Sequence, residues 1–424
     1  MNTLLSKLPK SEQAKESERM VPLEELLNAF QDFPEIIDNT QNILDQCSIT
    51  FSFGKTRTSQ NQQTFGKSKE EDFKTLKNLC EKGFSKRYRD PTPLIRNRLK
   101  VELETIQKMD FVSYFLINHD IVLYAKRNGY PHVGRGSGAN SIVAYIIGIT
   151  DVDPIELDLY FERFINPYRA SPPDFDIDFS WKERDDVTRY IFERYSNVAL
   201  LATYNTFKYR AVVRELGKVF GLPKEEIDKL SSGHYSKTNL DEISSLVLKY
   251  GELIRGFPNY LSVHSAGILI LENPIHYYSA TDLPPKNFPT VQFDMIIAED
   301  VGIFKFDILG QRGLAKITDA LEIIKQNRPE VPQIDINDVV QFKNDDKINS
   351  LLAKGKAIGA YYVESPAMRG LMQKLQVKDY LGLVAASSVI RPGVSSSGMK
   401  NEYIKRHRNP NLRKLANPIL NKIM

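Results

Sequence analysis

Apolar residues first recur at helical spacing between Val21 and Cys47, at Leu23, Leu26, Leu27 and Phe30 and again at Ile36, Ile37, Ile43 and Leu44. Residues 1–20 before them are polar and lysine-rich without a period, and read as a disordered lead-in. Gly54 to Lys69 is polar, glycine-flanked and of low complexity, which predicts an exposed linker or long loop. Helical patterns then fill Glu71–Gly83 and Pro93–Gly129, the second stopped by Gly129 with Pro131 beyond it. Glycines and a serine precede an apolar helix predicted over Ser141–Ile149. From Asp174 to Phe179 polar and apolar residues alternate strictly after Pro172 and Pro173. As a strand, this places Asp174, Asp176 and Asp178 on one face and Phe175, Ile177 and Phe179 on the other. Thr206–Phe220 and Pro223–Ser231 predict two short helices with Gly221 between them. Ala266–Leu271 and Gly302–Leu309 predict further strands, and the latter carries one acid, Asp307. There is no internal repeat.

Composition narrows the class. A chain of 424 residues, 42% of them hydrophobic, exceeds one compact core, and roughly 150 residues per domain predicts two to four domains. With 57 basic against 53 acidic residues the net charge is only +4, so a polyanion partner must be argued from local charge. Cys47 and Cys80 lie far apart in no metal-ligand spacing, which fits a reducing compartment. No run of about 18 apolar residues is present, and the charged start lacks the apolar stretch of a signal peptide. The expectation is a cytoplasmic protein with no membrane partner.

Three acids on one strand face repel one another and call for a cation. Carboxylates without histidine or cysteine nearby suit hard ions, magnesium rather than zinc. Two such ions, held by an acidic pair and one further acid, suit an in-line phosphoryl displacement, and Asp307 is the candidate further acid. The alternative is an edge strand carrying aspartates for solubility. Gly134–Ala139, with Arg135 inside it, matches G-x-G-x-x-A before a helix; phosphate binding by backbone and helix N-terminus is one reading, a nicotinamide site or a structural turn the others. Lys208 stands ahead of Arg210, Arg214 and Lys218, which recur every four residues opposite Ala211, Val212, Leu216 and Val219. That stripe is either a nucleic-acid contact or a solvated helix face. The segment Arg391–Lys414, with Lys405 and Arg406, holds one acid, Glu402, among many bases and suits a phosphate backbone. His264 has no second ligand nearby and defaults to a hydrogen-bonded structural histidine.

Taken together, GRGS before a helix, PDFDIDF after ITDVDPIELDLYFERFINP, and KFDILG downstream resemble the bacterial DNA polymerase III alpha subunit, the C-family replicative polymerase. TFKYRAVVRELGKVFG, VHSAGILI, YYVESPAMRGLMQKL and RPGVSSSGM extend the resemblance over nearly all of Val21–Met424. It implies an α+β fold: a DNA polymerase beta-like nucleotidyltransferase palm, a mixed sheet with helices, plus a helical thumb and partial helical fingers. The palm would take 21–205 and 263–312, with a linker at 54–69, the thumb 206–262, and incomplete fingers 313–424. The family's paired metal-binding acids fall on Asp174 and Asp176, its third acid on Asp307, and Asp178 matches the next acid of the motif as a supporting ligand. Arg135, Gly136 and Ser137 would bind the incoming deoxynucleoside triphosphate, and Lys305 would reach phosphate. The basic stripe would contact DNA.

The implied activity is template-dependent addition of deoxynucleotides to a primer 3′ end, with two Mg2+ ions, in bacterial DNA replication. Primer-template DNA and the incoming triphosphates would be partners, as would replisome subunits such as the sliding clamp in a full-length protein. The family's PHP domain has no counterpart here and the fingers stop at ILNKIM, so a fragment is expected. GANS and SPPD are similar to error-prone paralogues. Rival readings are another metal-dependent nucleotidyltransferase or nuclease, and a non-catalytic DNA-binding fragment.

Overall fold

The computed structural model describes residues 3–48, 58–166, 168, 174–236, 240–336 and 338–413. Pro172, Pro173, the predicted linker's residues 54–57 and Lys414 lie outside these. The chain divides into two bodies, one made of Met1–Gln62 and Tyr195–Lys305, the other of Gln63–Arg194 and Phe306–Met424. Among the described residues seven strands run in chain order: β1 His132–Arg135, β2 Asp176–Ser180, β3 Val198–Thr206, β4 Pro258–Ile270, β5 Thr281–Asp282, β6 Thr290–Val291 and β7 Phe306–Gln311. With the many helices they make a mixed α+β fold. No helix among the described residues is long and apolar enough to cross a membrane.

In the first body β3 lies between an antiparallel β4 and a parallel β6, and β5 pairs antiparallel with β6. Ala199, Leu201, Leu269, Leu271 and Val291 form the buried side of this sheet. Between β3 and β4 the chain makes helices Tyr209–Phe220, Lys224–Ser232 and Glu242–Ile254, packed on Val213, Ile227, Leu230 and Val247. Gly221 ends the first of them in the left-handed region, φ 81°, a conformation glycine adopts without a Cβ penalty. Thr206, expected at a helix start, closes β3 instead, and Asn205 donates to the Ser262 hydroxyl at 2.8 Å across the pair. The predicted strand Ala266–Leu271 is the second half of a longer β4. Its first residues, Pro258 to Tyr260, are exposed, so hydropathy does not report them and backbone pairing alone carries them. Between the Ala202↔Val263 and Leu200↔Ile268 pairs β4 bulges, and there His264 Nδ1 accepts from the amides of Gly267 at 2.8 Å and Ala266 at 3.3 Å. That histidine is thus hydrogen-bonded within its own strand.

Two other expectations change. The predicted exposed linker is pinned at its middle rather than loose: Asn61 is buried, bridges to Leu271, donates to the Phe304 carbonyl at 2.6 Å and accepts its amide at 2.7 Å. The helical spacing of Val21–Cys47 gives two helices, Leu23–Ala29 and Pro34–Gln46, but Leu23, Leu27, Ile43 and Leu44 are exposed. Ahead of them the lead-in carries short 3-10 turns at Leu5–Lys7 and Lys10–Glu12 with no buried residue.

The second body holds the three-stranded sheet β1–β2–β7, with β2 in the middle, antiparallel to β1 and parallel to β7. Phe115, Phe164, Phe175, Phe179 and Phe306 are almost wholly buried beneath it. Each such ring stabilises the fold by roughly 1.5–3 kcal/mol relative to exposure. The predicted single helix Pro93–Gly129 is two, Pro93–Lys108 and Val112–Arg127. Asp110 breaks it at φ 61°, a left-handed conformation that a short polar side chain tolerates, and it is ion-paired with Lys69. Helices Pro366–Leu375, Tyr380–Val389 and Met399–Arg408 surround Met368, Leu371, Met372 and Leu375.

Candidate active site

The acidic motif lands at the head of β2. Asp174 and Phe175 precede the strand, Asp176 is its first residue, and β7 runs parallel so that Asp176 pairs with Asp307 in register. Parallel neighbours sit about 4.8 Å apart, which is why alternation on two strands can bring their acids together. One carboxylate oxygen from each of Asp174, Asp176 and Asp307 lies within 4.8 Å of the others. Asp174 and Asp176 are half-buried, while Asp307 is 5% exposed. The donor set is oxygen only, with no nitrogen or sulfur, and the spacing suits ligands shared by a hard divalent cation held at about 2.1 Å. These residues fit such an ion.

Asp178 is not in that cluster. It faces Val133 in the register of β1, is buried, and accepts from Arg135 Nε at 2.8 Å. The same guanidinium donates from Nη1 to Asp176 Oδ2 at 3.0 Å. Burial works against the Arg135 charge, but its hydrogen bond to Asp178 and the charges of Asp178 and Asp176 hold its pKa above the usual arginine value.

The GRGSGAN segment is placed differently from a phosphate loop feeding a helix N-terminus. Gly136 to Asn140 form a 3-10 turn, and the predicted helix Ser141–Ile149 shortens to Ile142–Ile146. Its first turn faces inward: the Ser141 hydroxyl accepts from the Ala144 amide at 3.2 Å and donates to the buried Glu102 at 2.8 Å. Glu102 also accepts from the Val143 amide at 3.3 Å, so the start of this helix is satisfied by protein groups. The glycines answer to close packing. A Cβ on Gly136, at φ 77°, would lie 2.4 Å from Asp176 Oδ2, and one on Gly138 would lie 2.1 Å from the Phe175 ring. Ser137 donates to the Asp174 carbonyl at 3.1 Å, so Arg135, Gly136 and Ser137 all touch the acidic strand.

Residues 74–310 match the bacterial DNA polymerase III alpha NTPase domain, more than half of the 424-residue chain, and residues 297–424 match the finger domain of the same subunit. The chain belongs to the bacterial DNA polymerase III alpha-subunit family. It is 35% identical over 398 residues to DNA polymerase III subunit alpha of Bacillus subtilis (strain 168), covering 88% of this chain and 35% of that protein. It is 33% identical over 406 residues to an error-prone DNA polymerase of Symbiobacterium thermophilum, covering 91% of this chain and 36% of that one. To DNA polymerase III subunit alpha of Escherichia coli (strain K12) it is 32% identical over 419 residues, 90% of this chain and 35% of the relative. The chain spans about a third of the length of these relatives.

Lys305 is half-buried and directly precedes β7, two residues before Asp307. Lys208, Arg210, Arg214 and Lys218 are all exposed on and just before the helix Tyr209–Phe220, which buries Val212 and Val213; Ala211, expected on the apolar side, is exposed. Lys218 pairs with Glu215 at 2.8 Å. Lys405 is exposed, whereas Arg406 is bonded to Glu402 at 2.8 Å.

Two tyrosines at the site escaped the sequence reading. Tyr114 is buried under the triad, its hydroxyl accepting the Phe175 amide at 3.0 Å and its ring stacked on Phe175 at 5.5 Å. Burial and then the charge of Asp174 push its pKa well up, so it stays protonated. Tyr361, in the YYVES run, packs on Gly313 so closely that a Cβ there would lie 1.8 Å from the ring. Burial and the charge of Asp178 push its pKa up to about 12. Hydrophobic spacing identified the helix carrying Tyr114, but nothing local separated it from the other apolar residues.

Proposed function

We propose that the chain carries the nucleotidyl-transfer centre of a DNA-directed DNA polymerase acting in the cytoplasm in bacterial DNA replication, replicative or error-prone. The primer 3′ hydroxyl attacks the α-phosphate of the incoming deoxynucleoside triphosphate, and pyrophosphate leaves. What supports this reading is the pairing of Asp176 with Asp307, which gathers three carboxylates into one cluster in a member of this family. Asp174, Asp176 and Asp307 would hold Mg2+, two ions in the full reading, which supplies Lewis-acid stabilisation of the attacking and leaving oxygens. Arg135, Gly136, Ser137 and Lys305 orient the triphosphate of the incoming nucleotide. The Arg135 guanidinium, charged at every working pH, presents a fork of donors suited to phosphate oxygens. Asp178 serves as the anchor of Arg135 and as a supporting acid.

On this reading the strands around the acids are a polymerase beta-like palm, covering 21–205 and 263–312. Residues 206–262 are the thumb, whose Lys208, Arg210, Arg214 and Lys218 follow the DNA backbone. Residues 313–424 are part of the fingers, with Lys405 and Arg406 toward DNA. Primer-template DNA and deoxynucleotides are the partners, together with replisome components such as the sliding clamp in a full-length protein.

The test is primer extension with a labelled primer-template, Mg2+ and all four deoxynucleotides, comparing the chain with Asp176→Asn. Template-ordered extension that the variant loses by more than about 100-fold is expected, since the substitution removes transition-state stabilisation by charge. Untemplated addition or strand cleavage would assign another nucleotidyltransferase or a nuclease. DNA binding without extension by either protein would mark a binding fragment.

A further inference from the structure

The helical layer carries an ion pair between the half-buried Arg98 and the buried Glu102. In the helix Pro93–Lys108, Glu102 is fully buried and Arg98 Nε meets its Oε1 at 2.6 Å. A buried carboxylate is costly to desolvate, and the hydrogen-bond capacity of Glu102 and of the half-buried Arg98 is spent on definite partners. Here it is spent on two segments of the site. Arg98 Nη2 donates to the carbonyls of Asn140 and Leu159, each at 3.0 Å, while Glu102 Oε2 takes the Ser141 hydroxyl and the Val143 amide.

From Asn140 the hydrogen bonds run to the acids. The Asn140 side chain, 4% exposed, donates to the Ser137 carbonyl at 2.7 Å, and the Ser137 hydroxyl donates to the Asp174 carbonyl at 3.1 Å. From Leu159 a second arm runs through aromatic packing. Phe161 lies beside Phe164, and Phe164 packs on Phe175 at 4.8 Å, between Asp174 and Asp176 in sequence. Both arms end on residues 174–175.

We infer that Arg98, Glu102 and Asn140 are positioning residues that set the backbone of Asp174 and Phe175, and through it the spacing of the three carboxylates. The inference rests on the triad holding a divalent cation, as in the proposed function. A purely structural pair would also lower stability when broken, so the deciding variants keep the fold. Asn140→Ala removes only the bond to Ser137 and leaves Arg98 bonded to the Asn140 carbonyl. Arg98→Lys keeps the charge beside Glu102 but loses the fork that reaches two carbonyls. The double variant Arg98→Met with Glu102→Met removes the pair without stranding a charge.

Mn2+ binding by calorimetry, thermal melting and primer extension are measured on each protein. The expected result is Mn2+ affinity weakened about 10-fold in Asn140→Ala and Arg98→Lys, the size found when groups behind a metal ligand are lost, with melting close to wild type. In extension the Mg2+ concentration for half-maximal rate rises. Wild-type Mn2+ affinity in Asn140→Ala overturns the inference. Should Arg98→Lys fold poorly, the double variant decides, and wild-type affinity there overturns it equally. A wild-type chain that binds no Mn2+ overturns both the inference and the metal assignment. A chain that binds Mn2+, and loses it in these variants, but extends no primer upholds the inference while removing the polymerase reading.

Discussion

Arg135 and Asp178 are locked by a 2.8 Å hydrogen bond in which the acid is 3% exposed and the base 32%. The acid's other oxygen, Oδ1, is buried with no hydrogen-bond partner among the described residues. Removing the guanidinium therefore strands a buried charge. Arg135→Ala should cost about 2–3 kcal/mol, below the range for wholly buried pairs because Arg135 is partly solvated. Urea unfolding measures it. The companion Arg135→Ala/Asp178→Leu protein should recover most of that loss, and no recovery would mean that the pair is not the source.

The glycines of the loop give a second prediction, with an internal control. Gly138→Ala drives a methyl into the Phe175 ring, and Gly136→Ala adds a strained φ to a collision with Asp176. Each should destabilise by about 1–3 kcal/mol and lower extension, because the displaced groups belong to the acidic strand. Gly129 has a similar φ of 69° with nothing within 4 Å of its Cβ position. Gly129→Ala should cost about 1 kcal/mol and leave extension unchanged. Equal activity losses at all three positions would reduce the loop to a generic turn.

The reach of the sequence ends at different places for different residues. Alternation in DFDIDF and FKFDIL is a local signal, so the acids of the triad were legible. The register that pairs Asp176 with Asp307 was not, since the register between distant strands leaves no trace in either one. The glycines were legible as an unusual loop, but their reason is the ring of Phe175 and the carboxylate of Asp176, neighbours only in space. Hydropathy ran Pro93–Gly129 together because it does not register one left-handed residue, Asp110. Glu102 resembles any helix glutamate until Ser141 and Arg98 close on it.

Acid should weaken the protein through two histidines. His119, bonded to the Ile147 carbonyl at 2.9 Å, and His132, whose Nε2 is buried without a hydrogen-bond partner among the described residues, both have pKa values lowered chiefly by burial. The unfolded chain, with histidines near 6.5, then binds more protons than the folded one as the pH falls through that value. Their contribution to stability is complete above about pH 7 and is lost progressively below 6.5 toward their lowered folded values. Urea midpoints at pH 7.5, 6.5 and 5.5 should fall with acid in wild type and fall less in His119→Gln/His132→Gln. Parallel curves would shift the cause to other groups.

The exposed row Lys208, Arg210, Arg214 and Lys218 predicts a salt signature. Replacing Arg210 and Arg214 by glutamine should weaken primer-template binding and flatten the plot of log affinity against log salt by about 0.9 for each phosphate that is no longer neutralised. Fluorescence anisotropy at several salt concentrations reads both quantities. Lys218, already paired with Glu215, should contribute less than either arginine. An unchanged slope would leave this face merely solvated.

The pairing of β2 with β7 has a further consequence in time. Asp176 and Asp307 meet across more than a hundred residues of chain, a stretch that holds most of another body. Closing so long a loop is slow compared with forming the helices and hairpins on either side of it. During synthesis the first two acids emerge well before the third, and their strand waits for its parallel neighbour. The acidic cluster thus cannot exist until β7 has emerged, and a chain stalled before β7 would carry the acidic motif without the cluster.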